Sequence, residues 1–382
     1  MEKNAEIISK NLGGAISKTP RSSNLELYRI ICMLMIVAHH YVVNSGLKSV
    51  GGPLMTDFTS GNSIFLTLFG AWGKTGINCF IMITGYFMCT SAITFRKFLK
   101  LMGQIYLYRW LFFVIFFMAG YETLTPRRII QIVMPFWGFS DGFVPCFIIF
   151  WLTIPFLNKL VKNMNERQHQ LLLLLSLSVY TIFGSLPTFT ITFNYITWFI
   201  IIFFIASYIR LYPRPVFERR HFWGWMSLLT FILASLSICA LRALFGARVG
   251  MGYNFVADCN KIFAVSLAVC SFLWFKNLNI KSSKLINAFG AGTFGVLLIH
   301  ANSNAMRTWL WKDTIDCVGH YHTMTSVELA FYCCSVVLLI FIICNLIDQL
   351  RIATLEKYFF RWYDHTFATK ADMWINKIIR NN

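Results

Sequence analysis

Long apolar runs, each about as long as the hydrocarbon core of a bilayer is thick, recur along almost the whole chain. A membrane-spanning helix needs about 20 predominantly apolar residues, and runs of about 17–25 residues are found here. The predicted spans lie near 24–44, 68–90, 98–120, 143–161, 168–186, 191–210, 222–242, 258–276, 285–302 and 326–350. We therefore predict an all-α, polytopic integral membrane protein with about ten transmembrane helices.

The composition agrees with this fold class. Charged residues make up 13% of the 382 residues, against roughly 25% in soluble domains, and 57% are hydrophobic. These values exclude a disordered chain, a nucleic-acid-binding domain and an ordinary soluble enzyme. Two very apolar soluble domains are the alternative, but a soluble core does not need apolar runs this long and frequent. The eleven cysteines form no CxxC pair, so we interpret them as core residues and expect no metal.

The basic residues predict the orientation, because Lys and Arg collect in cytoplasmic loops. With the N-terminus inside, 23 of the 34 basic residues fall on the inner side and 7 on the outer side, alternating loop by loop. We expect both termini in the cytoplasm. The predicted domains are a cytoplasmic tail (1–22), a transmembrane domain (23–350) and a basic amphipathic tail (351–382) along the cytoplasmic membrane surface.

The first predicted span carries ionisable side chains on one helical face. Glu26, Arg29 and His40 share this face, and ionisable groups inside a span are costly enough to be functional candidates. Arg29 and His40 are separated by about 16 Å along the helix axis. His39 points about 100° away, so the shared face selects His40. Three alternatives stay open: a capping box of Glu26 with Ser23, snorkelling by Arg29, and a purely structural His40.

Two further ionisable side chains lie inside predicted spans. His300 lies in the ninth span and is interpreted either as a wall of the site or as a structural hydrogen-bonding group. Arg109 lies among aromatic residues, where a ligand contact and a cation–π stack are equally open. His320 and His322, in the last outer loop, could form a metal pair, but it would need other ligands, and none is evident in the sequence.

The first span resembles the opening of the membrane acyltransferase-3 family. That opening is an acidic residue three positions before an arginine, then Arg-x10-His at the second of two histidines. In this chain these residues are Glu26, Arg29 and His40, where the family usually has Asp at the first position.

Further family markers follow in order along the chain, and the resemblance covers roughly residues 22–350. Residues 80–87 resemble the family's Phe-Phe-x-x-Ser-Gly-Phe stretch, with Thr84 in place of Ser. Basic residues then precede the third span, as in the family. Residues 293–300 resemble the signature Ser/Thr-Phe-Gly-x-Tyr-Leu-x-His, with Leu297 in place of Tyr.

The resemblance implies transfer of an acyl group, most often acetyl, from cytoplasmic acetyl-CoA to a hydroxyl of a surface polysaccharide or lipid-linked saccharide. It further implies a bacterial inner membrane as the location. His40 would be the general base or a transient acyl carrier, with Arg29 and Glu26 as catalytic partners. The substrate-binding residues would be Thr84, Gly85, Arg96, Lys97, Lys100, Arg109 and His300. The expected partners are acyl-CoA, the saccharide and membrane lipid, but no nucleic acid.

A transporter or flippase for a lipid-linked glycan is the alternative function. It would share the polytopic fold and the buried charges, but it would need no CoA. The basic cluster of Arg96, Lys97 and Lys100 would then bind anionic lipid rather than the phosphates of CoA. A receptor or assembly subunit without chemistry is a third option, which does not account for the ionisable face of the first span.

Overall fold

A computed structural model describes residues 22–137, 142–189, 191–192, 194–246 and 251–367. The regular structure of these residues is helical, and they contain no strand. The predicted all-α class is confirmed. In chain order the helices are α1 (Ser23–Val43), α2 (Pro53–Thr56), α3 (Gly61–Phe69), α4 (Gly73–Met88), α5 (Phe95–Met118), α6 (Pro126–Val133), α7 (Phe143–Asn163), α8 (Glu166–Leu177), α9 (Tyr195–Leu211), α10 (Arg220–Phe245), α11 (Ile262–Lys276), α12 (Lys284–Ala291), α13 (Thr293–His300), α14 (Asn304–Thr308), α15 (Cys317–Thr323), α16 (Ser326–Arg351) and α17 (Lys357–Thr366). Short π-helical stretches are Ser178–Phe183, Trp309–Thr314 and Ile352–Glu356.

Six helical segments of the described residues are long and apolar enough to cross a membrane, which confirms a polytopic membrane fold. They are Ser23–Val43, Gly61–Met88, Phe95–Met118, Phe143–Asn163, Arg220–Phe245 and Ser326–Thr366. A seventh is added if Lys284–His300 and Asn304–Thr323, which meet at 93°, form one broken span. α9 and α11 are apolar but shorter, and α11 would cover only about 22 Å of a hydrocarbon core about 30 Å thick. The count of ten and the orientation stay predictions.

The predicted span 285–302 is two helices, α12 and α13, with Gly292 between them. Side chains of α16 donate hydrogen bonds to the carbonyl groups at the end of α12. Asn345 Nδ2 lies 2.8 Å from the oxygen of Phe289, and Gln349 Nε2 lies 2.6 Å from that of Ala288. Carbonyl groups at a helix end need such partners where water is excluded, so these amides stabilise the break.

α1 lies at the centre of the helices that surround the site. It contacts α3, α4, α11, α12, α13 and α16. Gly76 permits the close approach of α4, because a Cβ atom there would lie 2.9 Å from the carbonyl oxygen of Cys32. Side chains on α1 therefore meet residues from both the beginning and the end of the chain.

The start of α1 does not form the capping box of Ser23 and Glu26 that the sequence left open as an alternative. Its N-cap is Ser22, so Ser23 and Glu26 do not stand at the positions of a capping box. Ser23 Oγ instead donates to Asn287 Oδ1 of α12 at 2.8 Å. This bond joins the first turn of α1 to the helix preceding His300.

The tail after α16 is helical as far as Thr366, and the remainder of the predicted segment, 368–382, lies outside the described residues, as does 1–21. Within α17, Phe360 and Tyr363 are buried, whereas Tyr358 and Trp362 are exposed. This two-sided character agrees with an amphipathic helix. Its location on the cytoplasmic membrane surface stays a prediction.

Candidate active site

His40 and His300 meet at one end of α1. His40 lies in the last turn of α1 and is half-buried, whereas His300 is the last residue of α13 and is fully buried. Nδ1 of His40 lies 2.9 Å from Nε2 of His300, and the ring planes are inclined by 47°. The neighbouring His39 turns away and places its Nδ1 2.6 Å from the carbonyl oxygen of Gly70. We call His40 and His300 the histidine pair.

The second bond of His300 fixes the direction of the hydrogen bond within the pair. Nδ1 of His300 lies 2.6 Å from the carbonyl oxygen of Val296, which can only accept, so Nδ1 carries the proton. With both rings neutral, Nε2 of His300 is an acceptor and Nδ1–H of His40 is the donor. Nε2 of His40 is then left with a lone pair, the form of imidazole that a general base requires.

A cavity of about 230 Å³ adjoins this ring, and we call it the His40 cavity. Its walls come from α1, α4, α5, α13, the start of α7 and the segment that follows His300. The lining residues are Ile36, His40, Ile77, Ile105, Arg109, Gly142, Phe143, Val144, Pro145, Leu297, Leu298, Ala301, Asn302 and Arg307. A mostly apolar pocket with a few converging polar groups is typical of a small-molecule site.

Glu26 and Arg29 form an ion pair at the opposite end of α1. Arg29 Nη1 lies 3.3 Å from Glu26 Oε1, and Glu26 is buried. Neither residue lines the His40 cavity. The structure thus keeps the predicted separation between the arginine and the histidine, with the two groups at opposite ends of one helix.

A comparison with protein families decides how this arrangement is to be understood. A family model described as an acyltransferase domain matches residues 22–345, most of the chain. The chain belongs to the acyltransferase-3 family. The match includes the whole of α1 and both members of the histidine pair, and it confirms the resemblance drawn from the sequence. No curated protein and no solved structure gives a significant match.

The protein is therefore a membrane acyltransferase, and its other predicted site residues lie in several places. On α4, the hydroxyl of Thr84 donates to the carbonyl oxygen of Phe80 at 3.0 Å. Gly85 packs against α9, where a Cβ atom would lie 3.1 Å from Cβ of Ala206. Neither Thr84 nor Gly85 lines the His40 cavity, so the structure does not bring them to the histidine pair.

The basic cluster of the acyltransferase lies at the start of α5 and contacts the tail. Arg96 forms an ion pair with Asp364 of α17, and Lys100 Nζ lies 2.5 Å from Glu356 Oε1. Lys97 Nζ donates to nearby groups of the loop before α5 at 2.7 Å. All three cations lie away from the His40 cavity.

Arg109 is the one predicted site residue besides His40 that lines the His40 cavity among the described residues. Its Nη1 donates to the carbonyl oxygens of Gln131 and Met134 at 2.8 and 3.2 Å. Among the described residues it makes no cation–π contact, so the stacking alternative does not hold there.

A buried polar network surrounds Asp348, and it was not predicted from the sequence. Asp348 is fully buried and accepts hydrogen bonds from Gln104, Tyr108 and Arg351 at 3.1, 2.8 and 2.7 Å. An acidic residue at the end of an apolar run was the available signal. The network ties α5 to α16, and Tyr108 is the neighbour of Arg109 on α5.

Proposed function

We propose that the protein transfers an acyl group, most often acetyl, from cytoplasmic acyl-CoA to a hydroxyl group of a surface polysaccharide or a lipid-linked saccharide. The histidine pair beside the His40 cavity carries this proposal. It supplies a general base of defined tautomer at the end of a helix that spans the membrane. The bacterial inner membrane is the proposed location.

In the proposed reaction, the hydroxyl oxygen attacks the carbonyl carbon of the thioester while its proton moves to Nε2 of His40. The C–S bond then breaks, and the departing thiolate takes the proton from His40. The products are an ester and free CoA. General base catalysis of this kind contributes about 10²–10⁴-fold to a rate. A transient acyl group on Nε2 of His40 is the covalent alternative.

His300 has a positioning role in this mechanism. The Val296 carbonyl oxygen holds the proton on Nδ1 of His300, and Nε2 of His300 in turn accepts from His40. This bond orients the His40 ring and stabilises the imidazolium that forms during proton transfer, as the third member of a catalytic triad does.

The donor would approach from the end of the protein that carries the basic cluster. The phosphates of CoA would bind Arg96, Lys97 and Lys100, in competition with Asp364 and Glu356 for these cations. The pantetheine arm would extend along α1 past Arg29 towards His40, over about 16 Å. The length of α1 and the separation of its charged ends support this arrangement.

The proposal is tested in cells of the source bacterium in which the gene is deleted. Plasmids would restore the wild-type protein, His40→Ala or His39→Gln, and surface glycan would be analysed by NMR for O-acyl groups. His39 is the matched control, because it is the adjacent histidine and faces Gly70 instead of the cavity. Immunoblots of the membrane fraction would show equal amounts of each variant.

We expect acylation with the wild type and His39→Gln, and none with His40→Ala. Acylation that persists in the deletion strain, or that His40→Ala restores fully, would contradict the proposal. Release of CoA from acetyl-CoA by the purified wild type distinguishes acyl transfer from the transport of a lipid-linked glycan, which consumes no thioester.

A further inference from the structure

Two arginines line the His40 cavity, and neither has an acidic partner in the described part of the chain. Arg109 reaches the cavity from α5 and Arg307 from α14. Elsewhere, Arg29, Arg128 and Arg351 each form an ion pair with a carboxylate. The described lining of the cavity contains no Asp or Glu, so its charged groups are all cationic.

Arg307 has unused hydrogen-bonding capacity. Its Nη1 donates to Asn304 Oδ1 at 3.3 Å, and its Nε is buried without a hydrogen-bond partner. A guanidinium group has five N–H donors in a fork that matches a carboxylate or a phosphate. A buried donor without a partner is costly, and such groups therefore point to a ligand or a function.

Arg109, on α5, contributes a second positive charge to the lining of the cavity. The carbonyl oxygens of Gln131 and Met134 accept from one of its nitrogen atoms, which fixes the side chain against the end of α6. Both bonds use Nη1, so the N–H donors on Nε and Nη2 of this guanidinium take no part in them. Two cations in one mostly apolar cavity raise the local concentration of anions and repel cations.

The phosphates of the donor do not account for these charges. The proposed donor cations lie at the start of α5, whereas Arg307 follows His300 at the far end of α1. An anion bound in this cavity would therefore belong to the molecule that brings the hydroxyl group to His40.

We propose that the His40 cavity binds a saccharide with an anionic substituent, a carboxylate or a phosphate ester, held by Arg307 and Arg109. Describing this saccharide as the acceptor rests on the proposed acyl transfer. Its anion would dock on the two guanidinium groups and leave a hydroxyl at Nε2 of His40. Neutral saccharides of the same size would lack this anchor and bind more weakly.

The experiment measures binding rather than turnover. Purified protein in nanodiscs of zwitterionic phosphatidylcholine would be titrated separately with glucuronate, glucose 1-phosphate and glucose. Saturation-transfer difference NMR would measure the binding of each sugar. We expect at least one anionic sugar to bind at least about tenfold more tightly than glucose, the value of one charged hydrogen bond. The two anionic arms distinguish a carboxylate from a phosphate.

Arg307→Gln removes the charge and should abolish the preference for the anionic sugar, whereas Arg307→Lys should keep part of it. Arg127→Gln is the matched control, because it removes the same charge from an exposed arginine on α6. His40→Ala should keep the preference for the anionic sugar over glucose, since His40 meets a hydroxyl that both sugars carry and not the anion.

Equal binding of glucose and both anionic sugars to the wild type overturns the inference, even if Arg307→Gln fails to fold. An unchanged preference in folded Arg307→Gln also overturns it. If Arg307→Gln slows acyl transfer without changing sugar selectivity, the arginine stabilises the reaction and does not bind an acceptor anion. If the cavity prefers anionic sugars but the protein transfers no acyl group, the binding site is supported and the proposed function is contradicted.

Discussion

Nδ1 of His40 lies 2.9 Å from Nε2 of His300, although 260 residues separate them in the chain. The contact exists because α1 packs against α13, and because α13 ends at the level of the last turn of α1. His300 is anchored in turn by the carbonyl oxygen of Val296 at 2.6 Å. The histidine pair is therefore a fixed unit, and its members should not act independently.

His300→Ala should lower the rate of acyl transfer roughly 10²-fold, because His40 loses the group that orients it. His40→Ala should lower the rate by about 10²–10⁴-fold, the usual value of a general base. The double variant should be no slower than His40→Ala, since residues that act as a unit are not additive. Initial rates of the three purified variants check this, and multiplicative losses would show that the two histidines act separately.

Lys100→Gln should raise the apparent KM for acetyl-CoA about tenfold with little change in kcat, because it would remove the proposed charged contact to the donor phosphates. Glu356→Gln removes the protein partner of Lys100 and should not raise this KM. Steady-state kinetics with varied acetyl-CoA compares them. If Lys100 serves only to anchor the tail, both substitutions will change the kinetics alike.

Asp348→Ala should lower the free energy of unfolding by about 3–5 kcal/mol, because Gln104, Tyr108 and Arg351 would all lose a buried acceptor, and only Arg351 keeps a second carboxylate partner, Glu356. Asp364→Ala breaks the solvent-exposed ion pair with Arg96 and should cost less than about 1 kcal/mol. Unfolding of the detergent-solubilised protein measures both changes. Equal losses would mean that the Asp348 network contributes no more than a surface ion pair.

Asp57 in the loop after α2 should make stability depend on acidity. Hydrogen bonds from Ser60 and Tyr321 lower the pKa of Asp57 from its usual 3.8. A lowered pKa in the folded state stabilises the protein above pH 3.8, and this contribution is lost as the pH falls through the lowered value. Asp57→Asn should therefore melt about 1–2 °C lower at neutral pH, with a difference that vanishes in acid. A difference independent of pH would contradict this assignment.

The arrangement of side chains on α1 was predictable from the sequence, because it depends on residue spacing within a single helix. Ionisable residues in an apolar run, spaced by three and four positions, define one helical face, and this face selected His40 over His39. The structure agrees, since His40 faces the cavity and His39 contacts Gly70. The catalytic role of His40 stays a prediction. The contact with His300 was not predictable, because periodicity does not specify which helices pack together.

Other differences have equally physical origins. The predicted span 285–302 is continuous in hydropathy, yet Gly292 and the amides of Asn345 and Gln349 stabilise a break within it. Hydropathy averages over a window and does not detect such hydrogen bonds. The partners of Arg96 and Lys100 on the tail were missed for a related reason: exposed charges at distant positions pair only once the fold brings α5 and α17 together.

The proposed role of His40 as the general base of acyl transfer is open to a direct test. Inverted membrane vesicles that contain the native acceptor would receive radiolabelled acetyl-CoA on their exposed cytoplasmic face, and the label in saccharide would be counted over time. We expect the wild type and His39→Gln to incorporate label at similar rates and His40→Ala to lose about 10²–10⁴-fold. Incorporation by His40→Ala at the wild-type rate, with equal protein in the vesicles, would contradict the account.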